Sequence, residues 1–464
     1  MKKSSISRRN FLGKAATVGV AGVIVPSIIT SCARETKKVV AVPNFLDQAP
    51  DGPVLKAGVI GCGGRGTGAA NDFLSAGPNL QIVALGDTFQ DRVDSCRASI
   101  LKQHGQEVPL ENCFVGFDAY QKVIDSGVDI IITATPPYFR PMIVEAAIQA
   151  RKHVFAEKPV CVDPVGARAI MATAQKAKGM DLCIVTGTQR RHQRDYVANW
   201  QQVSQGLMGD IVGGNVYWNG GKLWHRENDP TWSEMEWMIR NWVNWTWLSG
   251  DHIVEQHVHN LDVMNWFMGA HPVSAVGFGS RQRRYTGDMY DNFSIDYAFE
   301  NGIHVHSMCR QINGCTGGGV GERLQGSKGS TNCQSTILDL AGNEVWTYEY
   351  PLDKDGKPGR RVSVPAMTQE HIDLVTAIRT GQVINELENT AISTMVAIMG
   401  RISAYTGKET TYEEMMNSDL KLGPKVFEFG PVDIDKSVPI PGLAYDAPRA
   451  PRVPRPATPA TPTT

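Results

Sequence analysis

The chain has 464 residues, and its 46 lysines and arginines against 47 aspartates and glutamates give a formal charge of −1. This balance excludes a nucleic-acid partner, because nucleic-acid binding usually needs a basic face. A hydrophobic content of 42% and a charged content of 20% are globular values and exclude wholesale disorder. Nine cysteines without a C-x-x-C pair predict neither a disulfide framework nor a zinc ribbon.

The first 32 residues are typical of an export signal rather than of a folded segment. Paired arginines within Ser7–Leu12 precede an uncharged run, Ala15–Ile29, that is too short to span a bilayer stably. The pair indicates a twin-arginine signal, with an ordinary secretory signal as the alternative. Cys32 follows a small residue and predicts a lipid anchor, with nearby cleavage and an incidental cysteine as the alternative. We therefore expect an exported protein, either periplasmic or a membrane-anchored lipoprotein.

The body of the chain divides into two domains by its hydrophobic patterning. From residue 54 to 189, apolar β-branched runs alternate with helix-like stretches, which predicts an α/β domain with a parallel sheet covered on both faces. The predicted strands are Leu55–Ile60, Leu80–Leu85, Val128–Thr133, His153–Ala156 and Leu182–Thr186.

From residue 190 to 430 the pattern predicts an α+β domain with a large open, mainly antiparallel sheet. Its predicted strands are Gly213–Trp218, Ser274–Ser280, Phe293–Phe299 and Ile303–Met308, and helical periodicity returns at residues 369–406. The proline-containing stretches 33–53 and 431–464 are interpreted as a linker and a tail.

A glycine-rich turn lies between the first predicted strand and the helix-like residues 67–74. Gly61-Cys62-Gly63-Gly64-Arg65-Gly66 is the G-x-G-x-x-G pattern of dinucleotide-binding folds. Gly61 would allow the tight turn, Gly63 the approach of a pyrophosphate, and Gly66 the close packing of helix and strand. The helix N-terminus would then face the anion. A glycine-rich turn without a ligand is the alternative.

The second predicted strand leads into an acidic residue, Asp87, which lies 21 positions beyond Gly66. A carboxylate at about this distance bonds the ribose 2′-hydroxyl and repels a 2′-phosphate. NAD is therefore the predicted cofactor. Arg92, which could reach a 2′-phosphate, leaves NADP open.

Glu157-Lys158-Pro159 follows the strand His153–Ala156, at the end of a strand where ligands bind in such sheets. Together with the glycine pattern and Thr135-Pro136-Pro137, it resembles the Gfo/Idh/MocA oxidoreductases, the family of glucose–fructose oxidoreductase and inositol dehydrogenase. The resemblance covers about residues 54–420. It implies an N-terminal Rossmann domain, action on sugars or cyclitols, and a dimer or tetramer.

The resemblance also implies site residues. Thr135, Pro136, Glu157 and Lys158 would contact the cofactor, and Lys158 would be the lysine on the substrate side. Physically, an ammonium beside a reacting hydroxyl stabilises the developing alkoxide. A surface lysine before a proline is the alternative.

The densest titratable stretch is Asp251–Asp262, where the family carries D-x-G-x-H-x-x-D. His259 and Asp262 match this pattern, whereas Glu255 replaces the aspartate and His257 replaces the glycine. If the stretch is one helix, Glu255 and His259 share a face. We predict that His259 takes the alcohol proton, that Glu255 orients His259 or holds a hydroxyl, and that His257 and Asp262 meet the substrate. Polar helix caps with one satisfied histidine are the alternative.

A metal site is another interpretation of the same stretch, because His252, Glu255, His257 and His259 are ligands suited to zinc or manganese. The spacing is not H-E-x-x-H, and no metal is predicted.

Eight of the ten tryptophans lie between Trp218 and Trp266. Tryptophan stacks on sugar faces but also builds cores and interfaces. Trp245 is our candidate for a substrate contact. Arg191, which follows the last strand of the first domain, is a second candidate, with a surface basic cluster as the alternative.

The sequence thus predicts an exported, NAD-dependent dehydrogenase of a sugar, glycoside or cyclitol, with oxidation at C3 of a glycoside as the preferred reaction. Because no free NAD pool exists outside the cell membrane, a tightly held NAD that cycles is expected. A redox-neutral glycosidase, in which oxidation, elimination, addition and reduction follow one another, is one alternative. A non-catalytic lipoprotein that binds sugars or partners is the other.

Overall fold

A computed structural model of the chain describes residues 45–442, apart from residues 353, 354, 358 and 360. The predicted export signal, Cys32 and the proline-rich end of the chain lie outside these residues. Within the described ranges, no helix is both long and apolar enough to cross a membrane. Export and lipid attachment stay predictions.

The first domain contains a six-stranded sheet in the order β3-β2-β1-β4-β5-β6, in which all neighbours pair in parallel. The strand order reverses between β1 and β4, the switch point of doubly wound folds. The strands are β1 (Leu55–Ile60), β2 (Leu80–Asp87), β3 (Cys113–Val115), β4 (Ile130–Thr133), β5 (His153–Ala156) and β6 (Ile184–Thr186). The predicted Rossmann fold is confirmed. The patterning missed β3, since a three-residue edge strand carries little periodic signal.

Helices connect these strands and cover the sheet, so that β4 is buried along its whole length. Asp163 shows why one of them begins where it does: its carboxylate accepts the N–H of Gly166 at 2.7 Å, and Pro164 occupies the first helical position. The helices are α1 (Gly64–Ser75), α2 (Gln90–His104), α3 (Ala119–Ile124), α4 (Arg140–Gln149) and α5 (Pro164–Lys178).

The second domain contains a nine-stranded sheet in the order β14-β13-β12-β11-β7-β10-β9-β8-β15. β7 and β10 pair in parallel and their neighbours pair antiparallel, which confirms a mainly antiparallel sheet. The strands are β7 (Ile211–Gly220), β8 (Ser274–Ser280), β9 (Asn292–Ala298), β10 (His304–Gln311), β11 (Gly319–Gly326), β12 (Gly329–Thr331), β13 (Thr336–Asp339), β14 (Glu344–Thr347) and β15 (Thr410–Thr411).

Further helices follow residue 190, and the segment after β14 packs back on the Rossmann domain. His371 lies against Phe155 of β5, with ring centroids 4.1 Å apart, and the Ile184 N–H of β6 donates to the Ile384 oxygen at 2.8 Å. The chain therefore returns to the Rossmann sheet after the second domain. The helices are α6 (Arg194–Ser204), α7 (Glu234–Arg240), α8 (Thr246–Ser249), α9 (His252–Glu255), α10 (Val258–Met268), α11 (Ala366–Thr380), α12 (Leu387–Thr406) and α13 (Tyr412–Asn417).

Two stretches interpreted as linker and tail pack on the folded body where they are described. Ala49 is buried, and its N–H donates to the Ala76 oxygen at 2.8 Å. Val432 is buried against the second domain. Apolar side chains within these proline-containing stretches account for the packing, because burying them removes apolar surface from water.

Candidate active site

A cavity of about 480 Å³ lies over the glycine-rich turn between β1 and α1. A Cβ on Gly66 would lie 1.8 Å from the Gly61 oxygen, so the close packing of α1 on β1 requires glycine there. Cβ atoms on Gly63 and Gly64 would meet nothing within 4 Å, which leaves the open space that a pyrophosphate needs. The site therefore fits a dinucleotide. The predicted cofactor residues lining the cavity are Gly61, Gly63, Gly64, Arg65, Asp87, Thr135 and Pro136.

Asp87 ends β2 and is fixed by backbone donors. The Cys62 N–H donates to its Oδ2 at 2.7 Å, and the Phe89 N–H donates to its Oδ1 at 3.0 Å. Burial raises the pKa of Asp87, and these two hydrogen bonds oppose the rise. Cys62 itself is buried, and its thiol donates to the Gly86 oxygen at 3.5 Å. The carboxylate lines the cavity where the adenosine ribose lies in folds of this kind.

Two arginines connect the three loops around the cavity. Arg65 pairs with Glu157, with Nε 2.9 Å from Oε1. Arg140 is buried and donates to the Pro159 oxygen at 2.5 Å and to the Thr135 oxygen at 2.6 Å. Burial lowers the pKa of Arg140 to about 10. Because Glu157 and Pro159 flank Lys158, these contacts fix the lysine relative to the glycine-rich turn.

Lys158 reaches from the end of β5 to the second domain. Its Nζ donates to the Glu255 carbonyl oxygen at 2.6 Å and to Oε1 of the same residue at 3.0 Å. The side chains are only 13% and 14% exposed, so solvent competes weakly for this pair. Glu255 ends α9, whereas His259 belongs to α10, so the condition for a shared face, a single helix, is not met. The chain turns at Gln256, and Glu255 contacts Lys158 instead of His259.

His259 lies on the face of the β-sheet next to Lys158. Its ring stacks on Trp218 of β7, with centroids 5.7 Å apart and an interplanar angle of 20°. Its buried Nδ1 has no hydrogen-bond partner among the described residues. Burial, followed by the positive charges of Lys158 and Arg190, holds the pKa of His259 well below its usual range. The imidazole is therefore neutral, and the charge of Lys158 contributes to keeping it so.

His257, a predicted substrate contact, lies inside the second domain. It is fully buried, with Nε2 2.7 Å from the Ser307 hydroxyl and Nδ1 3.2 Å from Oδ1 of Asn260. Burial lowers its pKa to about 3. Both ring nitrogens have protein partners. His257 therefore stabilises the fold around His259 and does not face the cavity.

Three other predicted substrate residues also have protein partners. Arg191 and Asp262 form a two-pronged pair at 2.7 and 2.9 Å, and Ser393 donates to the same carboxylate at 2.8 Å. Trp245 is buried and packs edge-on against Trp237, with centroids 5.6 Å apart. None of these three residues lines the 480 Å³ cavity. The same is true of Glu157, Lys158, Glu255 and His259, although Glu157 pairs with Arg65, which does line it.

A buried network beside His259 was missed by sequence reasoning. Arg190 pairs with Glu322 of β11 at 2.7 Å, Tyr196 donates its hydroxyl to Glu322 at 3.1 Å, and Asn260 donates to it at 2.6 Å. Burial raises the pKa of Glu322, and Arg190 opposes the rise. The signal in the sequence that could have indicated this network is Glu322, an isolated carboxylate inside a strand.

The histidines weighed as metal ligands do not converge. Nδ1 of His252 lies 2.9 Å from the Asp251 carboxylate, while His257 and Glu255 bind the partners given above. In the described part of the chain, no three histidine, cysteine or acidic side chains are arranged to hold an ion.

Comparisons with known proteins agree with this architecture. Residues 55–185 match the model of the oxidoreductase family with an NAD-binding Rossmann fold, and residues 196–331 match the GFO/IDH/MocA C-terminal domain. The scyllo-inositol dehydrogenase of Lactobacillus casei, solved with bound NAD(H) and scyllo-inositol, superposes with a TM-score of 0.57 at 20% identity. The superposition covers 78% of this chain and 99% of that one.

Two sequence relatives carry different activities in their names. The alpha-N-acetylgalactosaminidase of Shewanella oneidensis is 28% identical over 220 residues, which are 46% of this chain and 46% of the relative. The scyllo-inositol 2-dehydrogenase (NAD(+)) of Bacillus subtilis is 22% identical over 225 residues, 48% of this chain and 57% of the relative. The matches thus span about half of each relative's length. On its two matched domains and its fold, the chain belongs to the Gfo/Idh/MocA family of oxidoreductases, with NAD as the cofactor of its Rossmann domain.

Proposed function

We propose that the protein oxidises a CH–OH group of a sugar, glycoside or cyclitol in an NAD-dependent reaction. The observation that carries the proposal is the position of Lys158. Its side chain extends from the end of β5 to Glu255 of the second domain, and its charge helps to lower the pKa of His259. The preceding residue, Glu157, pairs with Arg65 of the glycine-rich turn. Strand ends of this kind hold the reacting groups in doubly wound folds.

The chemistry requires removal of a hydroxyl proton together with a hydride. NAD, when bound, accepts the hydride. Lys158 has three N–H donors, and Glu255 accepts from this group at two oxygens, which leaves a donor for the substrate oxygen. His259, neutral because it is buried beside positive charges, accepts the proton. The ammonium then stabilises the alkoxide that develops during transfer.

Glycoside 3-dehydrogenation with a tightly held, cycling NAD is the specific reaction we propose, in which the hydride taken from the glycoside would pass on to the carbonyl carbon of a second sugar and so restore NAD. It rests on the predicted export signal, because a protein outside the cell membrane meets glycosides but no free NAD. It also rests on the family, whose named members among the comparisons act on cyclitols or glycosides.

A redox-neutral glycosidase is the second candidate, favoured by the similarity to the Shewanella alpha-N-acetylgalactosaminidase. Transient oxidation of a ring carbon would acidify the neighbouring C–H, the aglycone would leave by elimination, and water addition followed by reduction would complete the cycle. Glu255 would then serve as the additional acid or base.

The test is a screen of nitrophenyl glycosides, free sugars and inositols with the mature, full-length protein, following ketone formation and nitrophenol release separately. Ketone without nitrophenol supports the dehydrogenase, and nitrophenol without net ketone supports the glycosidase. Lys158→Met and His259→Ala should each lower either activity by about 10² to 10⁴-fold. Lys176→Met and His304→Ala, both at exposed sites, are the matched controls. Unchanged activity in both site variants would show that Lys158 and His259 do not carry the reaction, and no turnover of any compound by the wild-type protein would leave only the non-catalytic alternative.

A further inference from the structure

The second domain supplies one wall of the dinucleotide cavity. Residues 222–244, here called the strap, leave the end of β7, cross to the Rossmann domain through α7 and return towards α8. Side chains of the strap line the same 480 Å³ cavity as the glycine-rich turn, and one residue of the C-terminal segment joins them. The polar and aromatic members of this wall are Trp224, Arg226, Arg240, Trp242 and Phe427.

The strap lies over the adenosine half of the cleft. The guanidinium of Arg240 sits 3.9 Å from the centre of the Phe89 ring and pairs with Asp91 at 3.0 Å. Phe89 and Asp91 follow Asp87, whose counterpart in Rossmann folds binds the adenosine ribose. Phe117, on the loop after β3, lines the same part of the cavity. These contacts lie beyond the end of β2, whereas Lys158 lies beyond the end of β5.

The strap is held in place at a second point. Glu234 of α7 accepts the Val432 N–H at 2.7 Å and pairs with Lys436 at 2.6 Å. Phe429 of the same C-terminal segment stacks on Phe89, with centroids 6.1 Å apart. The wall is therefore attached both to the Rossmann domain and to the end of the described chain.

The chemistry of this wall suits an adenine nucleotide. Arg92, Arg226 and Arg240 all line the cavity, and Asp91 pairs with Arg92 at 3.7 Å and with Arg240 at 3.0 Å. Burial, followed by the like charges of Arg92 and Arg240, lowers the pKa of Arg226. A bound phosphate would offset their repulsion. Trp224 and Trp242 meet edge to face, with centroids 6.4 Å apart, and both present aromatic surface to the cavity. Such surface favours stacking with a planar base.

We propose that Trp224, Arg226, Arg240 and Trp242 are cofactor-binding residues which enclose the adenosine half of NAD and make its release slow. Release requires the contact of Arg240 with Asp91 and Phe89 to break, so that the strap can lift. A cofactor that leaves more slowly than the reaction turns over would be reoxidised in place, by hydride transfer to the carbonyl carbon of a second sugar. The inference deepens the proposed function, since it takes NAD as the ligand, but it does not depend on the substrate.

The experiment measures NAD release directly. Full-length protein loaded with radiolabelled NAD is chased with excess unlabelled NAD, and the label retained on the protein is followed over time. Arg240→Ala should raise the release rate about 10-fold, because it removes both the ion pair and the stacking on Phe89. Asp91→Asn, which removes the charge alone, should raise it about 3-fold. Trp242→Ala should also raise it, and Glu145→Gln, which removes the exposed Lys176 pair, should leave it unchanged.

Melting temperatures identify any variant that fails to fold, and the remaining variants decide the outcome. The proposal is overturned if wild-type protein exchanges its label within the mixing time, or if Arg240→Ala and Trp242→Ala both release NAD at the wild-type rate. Retained NAD without turnover of any sugar would support the strap and refute the proposed function. Turnover with freely exchanging NAD would do the reverse.

Discussion

Lys158 of the Rossmann domain and Glu255 of the second domain form an ion pair at 3.0 Å, and the same ammonium also donates to the Glu255 backbone oxygen at 2.6 Å. The two acceptors fix the direction of the lysine side chain across the domain boundary. A long carboxylate is needed for this, because the backbone of Glu255 and its side chain approach the ammonium together. Holding Lys158 in this direction is the physical role of Glu255, which stands where the family carries an aspartate.

Glu255→Gln should lower kcat about 10-fold with little change in KM, because the lysine loses its fixed charge partner but not its backbone acceptor. Glu255→Asp should be at least as damaging, since the shorter side chain withdraws the carboxylate from the ammonium. Steady-state kinetics on the substrate found in the screen would measure both. The control is Glu388→Gln, whose carboxylate accepts from Gln175 at an exposed site. A wild-type kcat for Glu255→Gln would show that the ion pair does not position Lys158.

Two neighbouring glycines of the fingerprint should respond differently to alanine. Gly66→Ala would place a methyl group 1.8 Å from the Gly61 oxygen, so we expect a loss of about 1–3 kcal/mol in the free energy of unfolding. Gly63→Ala meets no protein atom within 4 Å and should leave that free energy unchanged while weakening NAD binding. Denaturant unfolding and NAD titration of both variants measure the two effects. Unimpaired NAD binding by Gly63→Ala would mean that the pyrophosphate does not approach there.

Local patterns in the sequence predicted much of the fold. β1, β5 and β8 have the same bounds as their predicted strands, because runs of apolar and β-branched residues are a signal contained within a few positions. The glycine-rich turn was predicted as a motif and lines the cavity, and Lys158 follows the end of β5 as predicted.

Features that depend on contacts between distant residues could not be predicted. The break between Glu255 and His259 was missed, since helical spacing continues through it. In the sequence, the strap is a tryptophan-rich stretch that suits either sugar stacking or a core or interface. Its position in the structure depends on the pair of Arg240 with Asp91, which lies 149 positions earlier in the chain. The same holds for His257, whose partner Ser307 lies 50 positions further on.

The stability of the protein should fall between pH 7 and pH 5 in part because of His257. Its pKa is about 3 in the folded state, against about 6.5 when unfolded, so the unfolded chain binds an extra proton as the pH falls through 6.5. The loss amounts to about 2 kcal/mol at pH 5. His257→Gln should reduce this slope, and His304→Gln, at an exposed site, should not. Equal slopes in wild type and His257→Gln, from urea unfolding at several pH values, would contradict the assignment.

Arg191 and Asp262 should affect stability rather than substrate binding. Their side chains form a buried two-pronged pair, so Asp262→Asn leaves a buried guanidinium without its counter-charge. We expect a loss of about 3–5 kcal/mol in the free energy of unfolding. Arg191→Lys keeps the charge but not the second hydrogen bond and should cost less. Urea unfolding measures the stability of both variants, and steady-state kinetics measures the KM of Arg191→Lys. A raised KM without loss of stability would restore the two residues to the substrate contacts that the sequence predicted.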